Sequence, residues 1–298
     1  MSMNRTDYIH GVLLVILGGS FLSLAGVLLR HIESADGWQI LFYRSVSFFV
    51  TLTLIVIFRY RRATWDAFVK VGARGIGVAV ALGLGSCCYV FAMLNTTVAN
   101  VVFIVGASPL VTAGIARLVL KEQITSTSLV TMLCALGGIG LMFSDGFISG
   151  GMIGNVMAIG VMLTFTIFLL LVRDGRRIDM IPATCMAGLV AAAIAAVMAD
   201  TLLISSHDFL IALTLGSVQF GVGFILLTIG ARYIPAAEVA LFSLSEAVLA
   251  PIWVWIGVNE VPSTVSATGA AVVLVSVTIY CLSRIVHDRQ SKRAGAVP

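Results

Sequence analysis

Residues 108–125 read SPLVTAGIARLVLKEQIT, and residues 246–263 read EAVLAPIWVWIGVNEVPS. Each is an apolar run that ends at a glutamate, Glu122 in the first and Glu260 in the second. Aligned end to end, they set Ser108 opposite Glu246 and Glu122 opposite Glu260. A second pair lies upstream. Residues 11–30 (GVLLVILGGSFLSLAGVLLR) and 154–173 (GNVMAIGVMLTFTIFLLLVR) share their length and their end residues. The chain therefore reads as two copies of one unit, 1–148 and 149–298.

Composition says where those units sit. The 298 residues are 59% hydrophobic and 11% charged, with mean hydropathy +1.08. A soluble domain carries about 25% charged residues and about 45–50% apolar ones. A soluble enzyme, a nucleic-acid binder and a disordered chain are excluded; an all-α polytopic membrane protein remains. A spanning helix needs about 20 mostly apolar residues. Runs of that kind fall at 9–29, 38–58, 72–94, 97–119, 126–144, 152–172, 181–201, 209–230, 236–257 and 263–283. The runs do not alternate in hydropathy as barrel strands do, so they are read as helices. That makes ten transmembrane helices, five per copy. Five is odd, so the second copy enters the membrane from the opposite side, as in the inverted repeats of transporters.

Basic residues orient the bundle. With the N-terminus in the cytoplasm, inner segments collect Arg5; Arg59, Arg61, Arg62, Lys70 and Arg74; Arg117 and Lys121; Arg173, Arg176 and Arg177; Arg232; and Arg284, Arg289, Lys292 and Arg293. Of the 18 Lys and Arg residues only Arg30 falls outside and only Arg44 inside a span. Both termini are expected in the cytoplasm, with the chain multi-pass in the plasma (inner) membrane. Cys87, Cys88, Cys134, Cys185 and Cys281 all lie in apolar runs, with neither a disulfide pattern nor metal-ligand spacing. No metal or cofactor is expected. The expected partners are a small-molecule substrate, the lipid bilayer and protons; nucleic acid is not among them.

Charge at membrane depth marks function by default. Arg44 and Glu246 are read as the two charges clearly inside spans. Arg44 lies six residues from the outer end of its helix and Glu246 ten from the inner end of its own. At about 1.5 Å per residue in a slab about 30 Å thick, their depths differ by roughly 6 Å. Glu246 is read as a proton or cation site, because desolvation disfavours a charged carboxylate; the alternative is a carboxylate permanently bonded to its neighbours or neutralised by Arg44. Arg44 suits a substrate carboxylate bidentately; the alternative is snorkelling to the headgroups. Phe242 and Trp253, at i−4 and i+7 from Glu246, share its helical face. Carboxylate and aromatic rings together suit an organic cation. Trp253 and Trp255 read equally well as an aromatic belt. Tyr43, Tyr89, Ser20, Asn100, Ser108 and Gln219 are hydrogen-bonding candidates, or interhelical bonds. Pro109, Pro251, Glu122 and Glu260 are candidate gate or hinge positions.

Together with the ten spans and the repeat, three local features resemble one family. They are the arginine in GWQILFYRSVSFF (37–49), the Ser108-Pro109 break, and the exits LKEQIT (120–125) and VNEVPS (258–263). The chain resembles the drug/metabolite transporter superfamily, EamA type, over nearly its whole length. The second repeat of that family often carries a Glu-Pro pair; here Ala247 follows Glu246 and the proline is Pro251. The resemblance implies a secondary active transporter of small metabolites such as amino acids, nucleobases or cationic compounds. With Glu246 as the coupling group, proton-coupled efflux of a zwitterion or organic cation by alternating access is the expected function. The alternatives are a non-transporting sensor or scaffold and an intramembrane enzyme. Against the enzyme, His10, His31, His207 and His287 all lie outside the middle of any span, and so does every aspartate. Against a channel, no filter-like loop or carboxylate ring is present.

Overall fold

The computed structural model describes residues 5–142, 144, 151–259 and 263–294. Ten apolar helices fill them: α1 (Thr6–Leu29), α2 (Gly37–Tyr60), α3 (Gly72–Asn95), α4 (Asn100–Val119), α5 (Ser126–Met142), α6 (Met152–Asp174), α7 (Ile181–Met198), α8 (Ser206–Gly230), α9 (Ala236–Gly257) and α10 (Thr264–Ala294). Among the described residues, nine are long and apolar enough to cross a membrane, and α5 is slightly shorter. The expected boundary between the two units, at 148, lies outside the described residues.

Local chemistry fixes several ends. Asp36 caps α2 by accepting from the Trp38 and Gln39 amides, and Gln39 Oε1 accepts the Asp36 amide in return. This reciprocal box satisfies amides that a helix start leaves without partners. Four helices are interrupted. α1 breaks at Ser23-Leu24, α4 at Ala107 and α9 at Leu244, while α8 carries a π-helical stretch over Leu215–Val222. The α4 break needs no special residue beyond Pro109, which has no amide to donate back and suits a helix first turn.

Packing follows a two-fold pattern in which each helix exchanges with the one five places on. α3 packs on α6 as α8 packs on α1; α3 packs on α7 as α8 packs on α2; α4 packs on α6 as α9 packs on α1. α2 with α7, and α5 with α10, pair directly with their own counterparts. Some relations depart from the pattern. The half of α4 after its break packs on the half of α9 before its break, and no comparable packing joins the two remaining halves. α4 and α9 are therefore packed more closely at the end that carries Glu122 than at the end that carries Asp208.

Polar contacts tie both ends. At the Glu122 end, Glu122 Oε1 meets Arg173 Nε at 2.9 Å, Arg173 Nη1 donates to the Arg232 carbonyl at 2.9 Å, and Glu122 Oε2 accepts the Ala236 amide at 3.3 Å. Tyr60 donates to Asp179 at 2.6 Å and Arg74 pairs with Asp174 at 2.6 Å. At the other end Asp208 gathers the amides of Glu33, Ser34 and Ala35 and the Ser34 hydroxyl.

One reading needs correction. Glu238 also lies within a span: it is buried in the first turn of α9 and accepts from Tyr8 of α1 at 2.6 Å. α8 begins at Ser206, ahead of its apolar run, with Ser205 as its cap. The basic connection after α2 contains a further helix, Thr64–Lys70.

Candidate substrate site

Arg44 is buried on α2 and points into the bundle rather than to the headgroups. Its Nη2 donates to Ser86 Oγ of α3, and its guanidinium carbon stands 4.7 Å from the centre of the Phe220 ring on α8. That distance allows a cation–π contact. The contact depends on close approach of α8, because Gly216 lies against the Arg44 carbonyl and a Cβ there would sit 2.1 Å from its oxygen. Arg44 Nε is buried and has no hydrogen-bond partner.

Glu246 sits in the first turn of the second half of α9, directly after the break at Leu244. A helix start carries a partial positive charge that suits a carboxylate. The side chain is half-buried, and none of the described residues gives it a hydrogen bond or an ion pair. Arg44 and Glu246 do not pair with each other. Tyr89 of α3 is close enough to interact electrostatically with each of them. Ser245 Oγ and Gln219 Oε1 are further buried atoms without a partner. Buried polar atoms are almost always satisfied in folded proteins. Among the described residues, these three atoms without a partner lie one each on α2, α8 and α9.

The other candidates separate by what holds them. Trp253 donates to Ser23 Oγ at 2.8 Å, joining α9 to the break in α1. Gln219 spends its amide on the Leu22 carbonyl at 2.9 Å, which the same break frees. Ser108 is buried at the α4 break. Three are committed elsewhere: Tyr43 to the Leu202 carbonyl at 2.6 Å, Ser20 to the Ile16 carbonyl at 2.9 Å, and Asn100 to Thr96 at 3.0 Å. Phe242 is fully buried in the core against Tyr280. The break at Leu244 interrupts the 3.6-residue register, so the shared face expected for Phe242 and Glu246 does not form. Pro251 lies inside an unbroken helix, and the interruption of α9 falls at Leu244 instead. Glu260 lies outside the described residues. Ser86, Phe220 and Ser23 were not legible as site residues, because each is an ordinary apolar-span residue until the packing is known. Two clefts lie apart from this cluster. One at the Glu122 end is lined by Glu122, Glu238, Ser128 and Tyr280, the other on α3 by Trp38, Leu84, Cys87, Cys88 and Phe91.

The model of the EamA-like transporter family matches residues 9–144 and 152–282, one match per repeat. The chain belongs to the EamA-like transporter family. It is a multi-pass membrane protein of the drug/metabolite transporter type. A solved crystal structure shares the fold, with a TM-score of 0.76 and 15% identity, covering 91% of this chain and 97% of the other. No curated protein matches the sequence. The two family matches meet between α5 and α6, at the point where the packing pattern starts over.

Proposed function

We propose that this EamA-like protein is a secondary active transporter in the plasma membrane that exports a small zwitterion of the amino-acid type by alternating access, coupled to protons. The observation that carries this reading is a pair of charges with room for a partner: among the described residues Arg44 has a free Nε and Glu246 has neither hydrogen bond nor ion pair, and Tyr89 interacts with each. A substrate carboxylate fits the guanidinium, whose fork geometry binds carboxylates bidentately. A substrate ammonium fits Glu246. An organic cation without a carboxylate fits less well, since nothing on it would offset the charge of Arg44.

The mechanism follows from competition for one carboxylate. Proton and substrate ammonium both neutralise Glu246, so binding one releases the other, which is antiport. The looser packing of α4 and α9 at the Asp208 end supports access to the site from that side, and their closer packing at the Glu122 end supports closure of the other. Exchanging the roles of the two repeats reverses this arrangement.

Proteoliposome flux tests the proposal. Wild type is expected to accumulate a zwitterionic amino acid when a pH gradient is imposed. Glu246→Gln, which cannot ionise, is expected to lose gradient-driven accumulation and keep binding. Equal responses of the two proteins to the gradient overturn the coupling role, and the absence of any flux favours the sensor or scaffold.

A further inference from the structure

The connection from α2 to α3 holds a surface on which exposed apolar and exposed cationic side chains lie together. Its helix, Thr64–Lys70, is set off by positive φ angles at Arg61 and Gly72. Three faces follow from a rotation of about 100° per residue. Ala67 and Val71 are buried and Phe68 packs on the core, so this face docks against the bundle. Trp65 and Val69 form a second face, 77% and 61% exposed, and Phe58 near the end of α2 is 79% exposed. Asp66 and Lys70 form a third, exposed and polar. An apolar stripe beside a charged face, at the end of a spanning helix, is the form of a segment lying flat at the bilayer boundary.

The cations divide into two groups. Arg59 meets Asp179 at 3.6 Å and Arg74 meets Asp174 at 2.6 Å. Arg61, Arg62 and Lys70 are exposed and have no ion pair among the described residues. Asp66 is the one acid on this helix. Three unneutralised cations beside rings at boundary depth complement an anionic headgroup joined to acyl chains. Neither a soluble phosphate nor an acidic peptide would explain the exposed rings.

We propose that Arg61, Arg62 and Lys70, with Trp65, Val69 and Phe58, form a binding site for an anionic phospholipid at the Glu122 end. The phosphate is held by the two guanidiniums and the acyl chains lie along the apolar stripe.

Native mass spectrometry of the full chain in mild detergent tests this, using phosphatidylglycerol and phosphatidylcholine with the same acyl chains. Phosphatidylglycerol is expected to bind at least tenfold more tightly, and R61Q/R62Q/K70Q to remove that preference. Each cation contributes about fivefold. Asp66→Asn is expected to raise phosphatidylglycerol affinity severalfold. The triple variant is expected to melt as wild type does in lipid-free detergent, since its altered side chains bind no protein group. Equal binding of the two lipids by wild type overturns the site. So do a preference that survives the triple substitution, displacement of the lipid by millimolar inorganic phosphate, and a large loss of lipid-free stability in the triple variant.

Discussion

Arg44 is held by Ser86 on one side and Phe220 on another, and its Nε is left open. This predicts an order of damage. Arg44→Ala should abolish transport of carboxylate-bearing substrates. Arg44→Lys should impair it at least tenfold, because an ammonium keeps the charge but not the fork. Ser86→Ala should do less, since it removes one hydrogen bond to a charged group. That is worth about 1.5 kcal/mol, roughly tenfold in affinity. Initial rates across a substrate series with and without a carboxylate check all three. Equal losses for both kinds of substrate would show that Arg44 holds the bundle together and does not read the substrate.

The breaks matter more at the scale of the helix than the prolines do. α1 passes α9 at its interruption, where a Cβ on Gly19 would stand 2.4 Å from Ser245 Oγ. Gly19→Ala should therefore turn the Ser245 hydroxyl away, at the low end of the about 1–3 kcal/mol for overpacking, and slow transport; thermal unfolding and flux of the variant measure the two effects. Helix existence was legible in the sequence because hydropathy over 20 residues integrates many weak signals. The positions of Arg44, Tyr89 and Glu246 in the chain were legible too, as polar groups where lipid-facing residues are apolar. The side that each residue faces was legible only while the helix stayed regular. Phe242 was misassigned for that reason: the turn at Leu244 resets the register, and nothing in LFSLSEAV (241–248) marks a break. Glu238 was missed for a different reason, since what buries it is Tyr8, 230 residues earlier in the chain.

Across the molecule, the Glu122 end is held by a pair with little solvent around it. Arg173 keeps 9% and Glu122 19% of its side-chain surface exposed. Glu122→Ala should cost about 2–3 kcal/mol, somewhat below the range for a fully buried pair, and should shift the molecule away from the state closed at this end. Melting temperature and the labelling rate of a cysteine introduced at Ser128 report both. Orientation is tested on the same footing: a cysteine at Asp36 should react with an impermeant reagent from outside the cell, and one at Arg61 should not. The pairing of α5 with α10 has a consequence for how the protein is made. Gly269 lies so close to α5 that a Cβ on it would fall 2.5 Å from the Gly138 carbonyl, so the two helices seal each other's backbones. The ribosome finishes α5 long before α10 exists. During that interval the face of α5 around Gly138 is covered by lipid alone or by an insertion chaperone, and the first repeat reaches its final shape only when the last helix arrives.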